Sequence, residues 1–143
     1  MASLTAVRSG VKDRLATIDG LRTSATLPSL INPPAAWVMP APGRFIDWDT
    51  TMSRGTDDIY LVVYLVVGKA SDRAAQDTMD AYLAGSGTQS IKAAVEGDPT
   101  LGGMAMFVTV TEARNYGPIQ IGDDPNNTYL GCEFPTVIGV AGT

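Results

Sequence analysis

Ile59-Tyr-Leu-Val-Val-Tyr-Leu-Val-Val67 carries no charge and is built from β-branched, aromatic and leucine side chains. Apolar residues fill both alternating sets, the pattern of a central strand covered on both faces. The run is also far short of the roughly 20 residues that a membrane-spanning helix needs. Upstream lie the polar stretch Thr51 to Asp58 and Phe45-Ile-Asp-Trp-Asp-Thr50, which has strand-forming residues. Before them, Ala35-Ala-Trp-Val-Met39 reads as another strand, ended by Pro40-Ala-Pro-Gly43. Pro28, Pro33 and Pro34 make residues 21–34 a connection with one short extended stretch. At the start of the chain Leu4, Val7, Val11, Leu15 and Ile18 recur at spacings of three and four, one stripe of an amphipathic helix. Ser3 is its expected N-cap and Gly20 its expected stop.

Downstream, Gly68-Lys-Ala-Ser71 leads into a second helix, with Ser71 as N-cap and Asp72 in the first turn. Ala75, Met79, Tyr82 and Leu83 form its apolar stripe; Arg73 and Asp77 lie one turn apart on a polar side. Gly85-Ser-Gly87 ends it. Thr88 to Val95 predicts a short third helix, stopped at Gly97-Asp-Pro99 because the residue before proline disfavours the α region. Met106, Val108 and Val110 then share one face of an expected strand and Phe107, Thr109 and Thr111 the other, followed by a brief Ile119-Gln-Ile121 and the turn cluster Asp123-Asp-Pro-Asn-Asn127. Tyr129 to Val140 is the last strand, and Pro135 within it argues for an edge position or a bulge. The order is α-β-β-β-α-α-β-β-β, with helices not interleaved one per strand. It predicts a single α+β domain over residues 1–143, a mainly antiparallel sheet packed against two or three helices.

Composition narrows the function. The 143 residues include no histidine and one cysteine, with 15 acidic against 10 basic side chains and a net charge of −5. Without histidine there is no Ser-His-Asp or Cys-His nucleophile system and no imidazole base. A lone Cys132 closes no internal disulfide. Three lysines in an acidic chain make a poor match for nucleic-acid phosphates. Met1-Ala-Ser-Leu-Thr has neither a basic nor an apolar leader region, so the sequence reads as a protein made and used without export.

Each fragment that resembles a chemical motif fails on spacing. Gly68-Lys69 sits where a phosphate-binding loop belongs, but position 63 is Val and position 70 is Ala, against the required Gly and Ser or Thr. Asp123, Asp124, Asn126 and Asn127 lack the ligand order of a calcium loop. Asp57 and Asp58 are strand neighbours that point to opposite faces and read as solvated charge at a strand start. Asp47 and Asp49 share a face if extended. Gly85-Ser-Gly87 follows a helix and has no His partner, unlike a nucleophile elbow. Cys132 reads as a small buried hydrophobe. The sequence thus predicts no enzyme, cofactor or metal site. The unusual stretch is Pro40 to Asp58, with Phe45, Trp48, Arg44 and Arg54, residue types enriched where interface energy concentrates. Arg44, Phe45, Trp48, Arg54, Asp57 and Asp58 are the candidate contacts to a neighbouring subunit or partner. The competing reading packs both aromatics on their own sheet.

The order of several short motifs resembles tail terminator proteins of long-tailed phages, especially those of actinobacteria. They are Leu15-Ala-Thr-Ile-Asp-Gly-Leu21, Ile31-Asn-Pro-Pro34, Met52-Ser-Arg-Gly-Thr-Asp-Asp-Ile-Tyr60, Val67-Gly-Lys-Ala-Ser-Asp-Arg-Ala-Ala-Gln-Asp77, Asp80-Ala-Tyr-Leu-Ala-Gly-Ser-Gly87, Ser90-Ile-Lys-Ala-Ala94, Asp98-Pro-Thr-Leu-Gly-Gly103 and Arg114-Asn-Tyr-Gly117. Pro40 to Arg44 and the last ten residues carry no matching motif. The resemblance implies a small α/β protein that assembles as a homo-hexameric ring on the head-proximal end of the tail tube. Such a ring stops tube polymerisation and meets the head-side connector or stopper in the virion neck. Its implied partners are other copies of itself, the major tail tube protein and the connector or stopper. DNA passes through the lumen without specific binding, and no membrane is involved. Another neck protein, or a small-molecule-binding α+β domain, is the alternative.

Overall fold

The computed structural model describes residues 3–26, 33–48, 56–69, 73–120 and 128–141. In chain order the elements are α1 (Leu4–Leu15), β1 (Arg22–Ser24), β2 (Ala35–Pro40), β3 (Ile46–Asp47), β4 (Thr56–Lys69), α2 (Arg73–Leu83), α3 (Ile91–Glu96), β5 (Phe107–Val110), β6 (Arg114–Gln120) and β7 (Thr128–Ala141). The fold is α+β, with the seven strands in one sheet of order β1-β2-β4-β7-β5; β3 pairs with β4 and β6 with β7. Only β1–β2 is parallel among these pairs. The expected element order holds, with β1 as the short extended stretch in the proline-rich connection.

The charge-free run lies inside β4, whose long partner is β7, from Thr56↔Ala141 to Lys69↔Tyr129. Two interrupted strands flank this central pair. β2 and β3 follow one another along β4, from Ala35↔Val66 to Pro40↔Leu61 and then Ile46↔Ile59. β5 and β6 likewise follow one another along β7, with Val110↔Thr136 and then Arg114↔Glu133. The two interruptions are offset along the sheet: the first lies beside Tyr60, opposite Val137, and the second beside Phe134 and Pro135, opposite Val63 and Val62. Ala41 donates its N–H to the Tyr60 carbonyl at 3.0 Å, and Thr111 donates to the Pro135 carbonyl at 2.9 Å.

The second interruption explains Pro135. It stands in a central strand, not at an edge. A residue's N and C=O point to the same side in an antiparallel ladder, so its missing N–H faces the gap between β5 and β6. No ladder bond is lost there.

All three helices lie on one face. Ile59, Leu61, Val63, Leu65 and Val67 of β4 join Val7, Val11 and Leu15 of α1, Met79 of α2 and Ile91 and Val95 of α3 in one buried cluster. The opposite face carries none of these helices. It is built from Ala35, Trp37, Val66, Met39, Tyr64 and Tyr129, with Trp37 stacked on Tyr64 at 5.8 Å between ring centroids. The expectation of a strand covered on both faces holds for Ile59–Val67, none of which is exposed, but by unequal means: helices cover one face, and the sheet's own aromatics shield much of the other. The Lys69 ammonium lies 4.6 Å from the Tyr129 ring centroid on that second face.

Helix ends follow local chemistry. Ser3 caps α1 by accepting from the Ala6 N–H at 3.0 Å. The helix stops at Leu15, yet Ile18 stays buried in the turn that follows. Ser90 caps α3, accepting from Ala93 N–H and donating to the Ala84 carbonyl. Arg14 Nε donates to the Ala94 carbonyl at 3.0 Å and ties α1 to α3. The Asp98 carboxylate then organises the next loop by accepting from the N–H and hydroxyl of Thr100 and the N–H of Gly102. None of the described helices is long and apolar enough to cross a membrane.

Candidate interaction surface

Pairing of β3 with β4 gathers most of the candidate contact residues at one end of the sheet. Asp47 stands directly opposite Asp58, with Arg44, Phe45 and Trp48 on the same short segment. Arg54 lies outside the described residues, as do Asp49, Ser71, Asp72 and the cluster Asp123, Asp124, Asn126 and Asn127. Trp48 is 59% exposed and Phe45 is also exposed, so neither is a core side chain. Met106 and Phe107 are exposed at the other edge of the same end, because Phe107 pairs with Gly139 and Gly139 with Asp58.

Asp57 and Asp58 do point to opposite faces, but Asp57 is not the solvated charge expected at a strand start. It is only 2% exposed, on the helix-covered face beside Ile59 and Val140, and its Oδ2 is buried without a hydrogen-bond partner. Sequence alone gave no sign of this, since a charge at the polar start of a strand ordinarily faces water.

The two strand breaks frame an open groove of about 410 Å³ on the helix-free face. Tyr60, Val62, Pro135 and Val137 make its floor. Arg44 rises from one break and Arg114 borders the other. Each guanidinium has a carboxylate beside it: Arg44 Nη1 lies 3.5 Å from Asp47, and Arg114 Nε 3.4 Å from Glu133. Asn115, held at φ 58°, donates from Nδ2 to the other Glu133 oxygen at 2.9 Å. The Arg44 side chain is 74% exposed, so its charge faces solvent. Burial and then the Glu133 carboxylate push the Tyr64 hydroxyl above its usual range, against a smaller opposite pull from Arg114. Arg114 was missed as a contact candidate. Its place at the groove follows from its pairing with Glu133 beside the break between β5 and β6, a relation invisible along the chain.

On the opposite side of the molecule, α2 exposes Arg73, Asp77 and Asp80 at i, i+4 and i+7. The exposed Tyr116 ring lies close by: burial, then Asp80, Cys132 and Asp77 raise its hydroxyl's pKa. Cys132 is buried, and its S–H donates to the Arg114 carbonyl at 3.3 Å. Among the described residues no group of three or more His, Cys, Asp or Glu is placed to hold a metal ion. Comparison with protein-family models gives no match, and neither does comparison with curated proteins.

Proposed function

We propose that this chain is a non-enzymatic subunit of a phage tail neck: a tail terminator. Copies form a ring on the head-proximal end of the tail tube, stop its growth and join it to the head-side connector or stopper. The ordered sequence motifs supply the family. The observation that carries an assembly role is the gathering of Phe45, Trp48, Met106 and Phe107, all exposed, at one end of one sheet. Large apolar side chains left in water at both edges of that end are the kind of surface that a contact with another protein covers. Arg44, its side chain 74% exposed, supplies charge for partner groups beside that end. On this reading the protein resides in the virion, needs no cofactor and touches no membrane.

The decisive measurement is electron microscopy of tail tubes polymerised with and without the protein. Tubes should end in a ring and stop at defined lengths only when it is present. Trp48→Ala should abolish capping while leaving the melting temperature nearly unchanged. Unfolding of the isolated Trp48→Ala chain, or normal capping by it, defeats the reading. The acidic chain should also bind duplex DNA weakly at physiological salt, since phosphate neutralisation needs clustered cations. Tight, salt-sensitive duplex binding contradicts a ring through which DNA slides.

A further inference from the structure

We propose that Glu96 is a guard: its carboxylate closes the outer edge of β5 against strand addition by a second copy of this chain. The contact is independent of tube capping. β5 is the last strand in the sheet order, and among the described residues no strand pairs with its outer side. Its four residues, Phe107-Val-Thr-Val110, carry no charge, and Met106 and Phe107 are exposed. An uncharged apolar edge of this kind is a template for edge-to-edge pairing.

Register decides which groups of β5 face out. Thr111 donates its N–H to the Pro135 carbonyl within the sheet, so by alternation Phe107 and Thr109 also turn their N–H and C=O toward β7. Val108 and Val110 turn theirs outward. The outward N–H of Val110 donates to Glu96 Oε2 at 2.9 Å. Glu96 ends α3, and the Lys92 ammonium one turn earlier donates to both of its oxygens, at 2.8 and 2.6 Å. The carboxylate is thus anchored from its own helix. It occupies the donor that an incoming strand's carbonyl would need, and its charge repels that carbonyl.

The other edges are blunted in different ways. β6 pairs through Gly117 and Ile119 with Gly131 and Tyr129, which turn toward it in step with Pro135. Pro118 therefore turns outward and offers no N–H. On the far side the outermost strands, β1 and β3, are three and two residues long. Prolines and short strands blunt an edge permanently. Glu96 differs in kind, because displacing one side chain opens the edge. A second β5 then fits by two-fold symmetry. An antiparallel pair centred on Thr109 sets Val108 of each copy against Val110 of the other, the residues whose backbone groups face outward.

Removal of the guard tests this. Glu96→Ala should raise self-association at least about tenfold over wild type in sedimentation. Adding Val110→Pro, which the edge tolerates because that N–H lies outside the β5–β7 ladder, should return association to the wild-type level. Glu96→Gln keeps an acceptor oxygen and should associate as wild type does. Thr109→Cys in the Glu96→Ala background should form an intermolecular disulfide, since the symmetric pair brings the two Cα atoms to about 4.5 Å. A Glu96 that only steadies α3 would lower the melting temperature and change none of these readouts. That result overturns the proposal, as does association that survives Val110→Pro. Should Glu96→Ala fail to fold, hydrogen exchange in the wild type decides. The Val110 amide, outside the ladder, must exchange as slowly as the Thr109 amide within it; fast exchange shows an unguarded edge and overturns the proposal.

Discussion

The two faces of the central strands are made from the same fourteen residues of β4 and hold together by different means. Leu61 and Leu65 look into a cluster fed by three helices, where nearly every neighbour is aliphatic. One residue away, Tyr60 and Tyr64 look onto a face of aromatics, cations and a groove. The first face is closed by this chain's own helices. The second combines partial burial with charges held at its edges. A face can therefore satisfy the period-2 apolar pattern without carrying a helix. Apolar content measures how much surface seeks cover, not where the cover comes from.

The largest effect expected is on the helix-covered face. Leu61→Ala or Leu65→Ala should cost about 2–5 kcal/mol in urea unfolding, since both are fully packed. Tyr60→Ala, on the groove floor, should cost about 1 kcal/mol. Equal losses at Leu61 and Tyr60 would erase the distinction between faces. Next comes Gly131→Ala. A Cβ there meets the Ile119 side chain and, at 2.9 Å, the Leu65 carbonyl, so overpacking should destabilise by roughly 1–3 kcal/mol. A neutral result would mean that the helix-free face is loose enough to absorb it.

Ser90→Ala should follow, at about 1–2 kcal/mol in thermal melts. It removes the α3 cap and leaves the Ala84 carbonyl without its buried donor. The thiol of Cys132 gives a kinetic comparison. Burial pushes it above its ordinary range, outweighing its hydrogen bonds, so it should react slowly with Ellman's reagent until the chain unfolds. Fast native reaction would show that the central sheet opens locally. The smallest effect is at Asp98. Its carboxyl is held below its ordinary range, first by the Thr100 hydroxyl and then by the Gly102 and Thr100 N–H groups. The carboxylate's contribution is full above the unfolded pKa and fades as pH falls through the lower folded one. The small stability deficit of Asp98→Ala should thus be present at neutral pH and vanish in acid; a deficit that persists there assigns Asp98 a role other than its charge.

Much of this arrangement was legible before the structure. The apolar run defined β4, the 3–4 spacing found α1, and Ser3 and the second helix's stripe stood where local chemistry put them. Phe45 and Trp48 stood out by type as candidate contacts, and the structure leaves both exposed. What escaped were relations between distant positions. Asp57 looked solvated because its polar neighbours in sequence are not its neighbours in space. Pro135 suggested an edge because the gap that accommodates it belongs to another strand. Arg114 stood out only within the motif Arg114-Asn-Tyr-Gly117, with nothing to say where its side chain goes. Its pairing with Glu133 brings it to the groove, and the sequence fixes register only through the whole set of pairings.

The pairing of β4 with β7 carries a kinetic consequence. These strands meet edge to edge although 58 residues, from Ala70 to Asn127, separate them in the chain. Loop closure of that length precedes the contacts that reward it, which places folding on the slow side for a domain this small. Until residues 128–141 are made and docked, the uncharged Ile59–Val67 run has no partner on one side and is the chain's chief aggregation hazard. Synthesis of this protein should therefore lean on chaperones at one late moment. Truncations that remove β7 should be recovered as insoluble material, however many of the helices they retain.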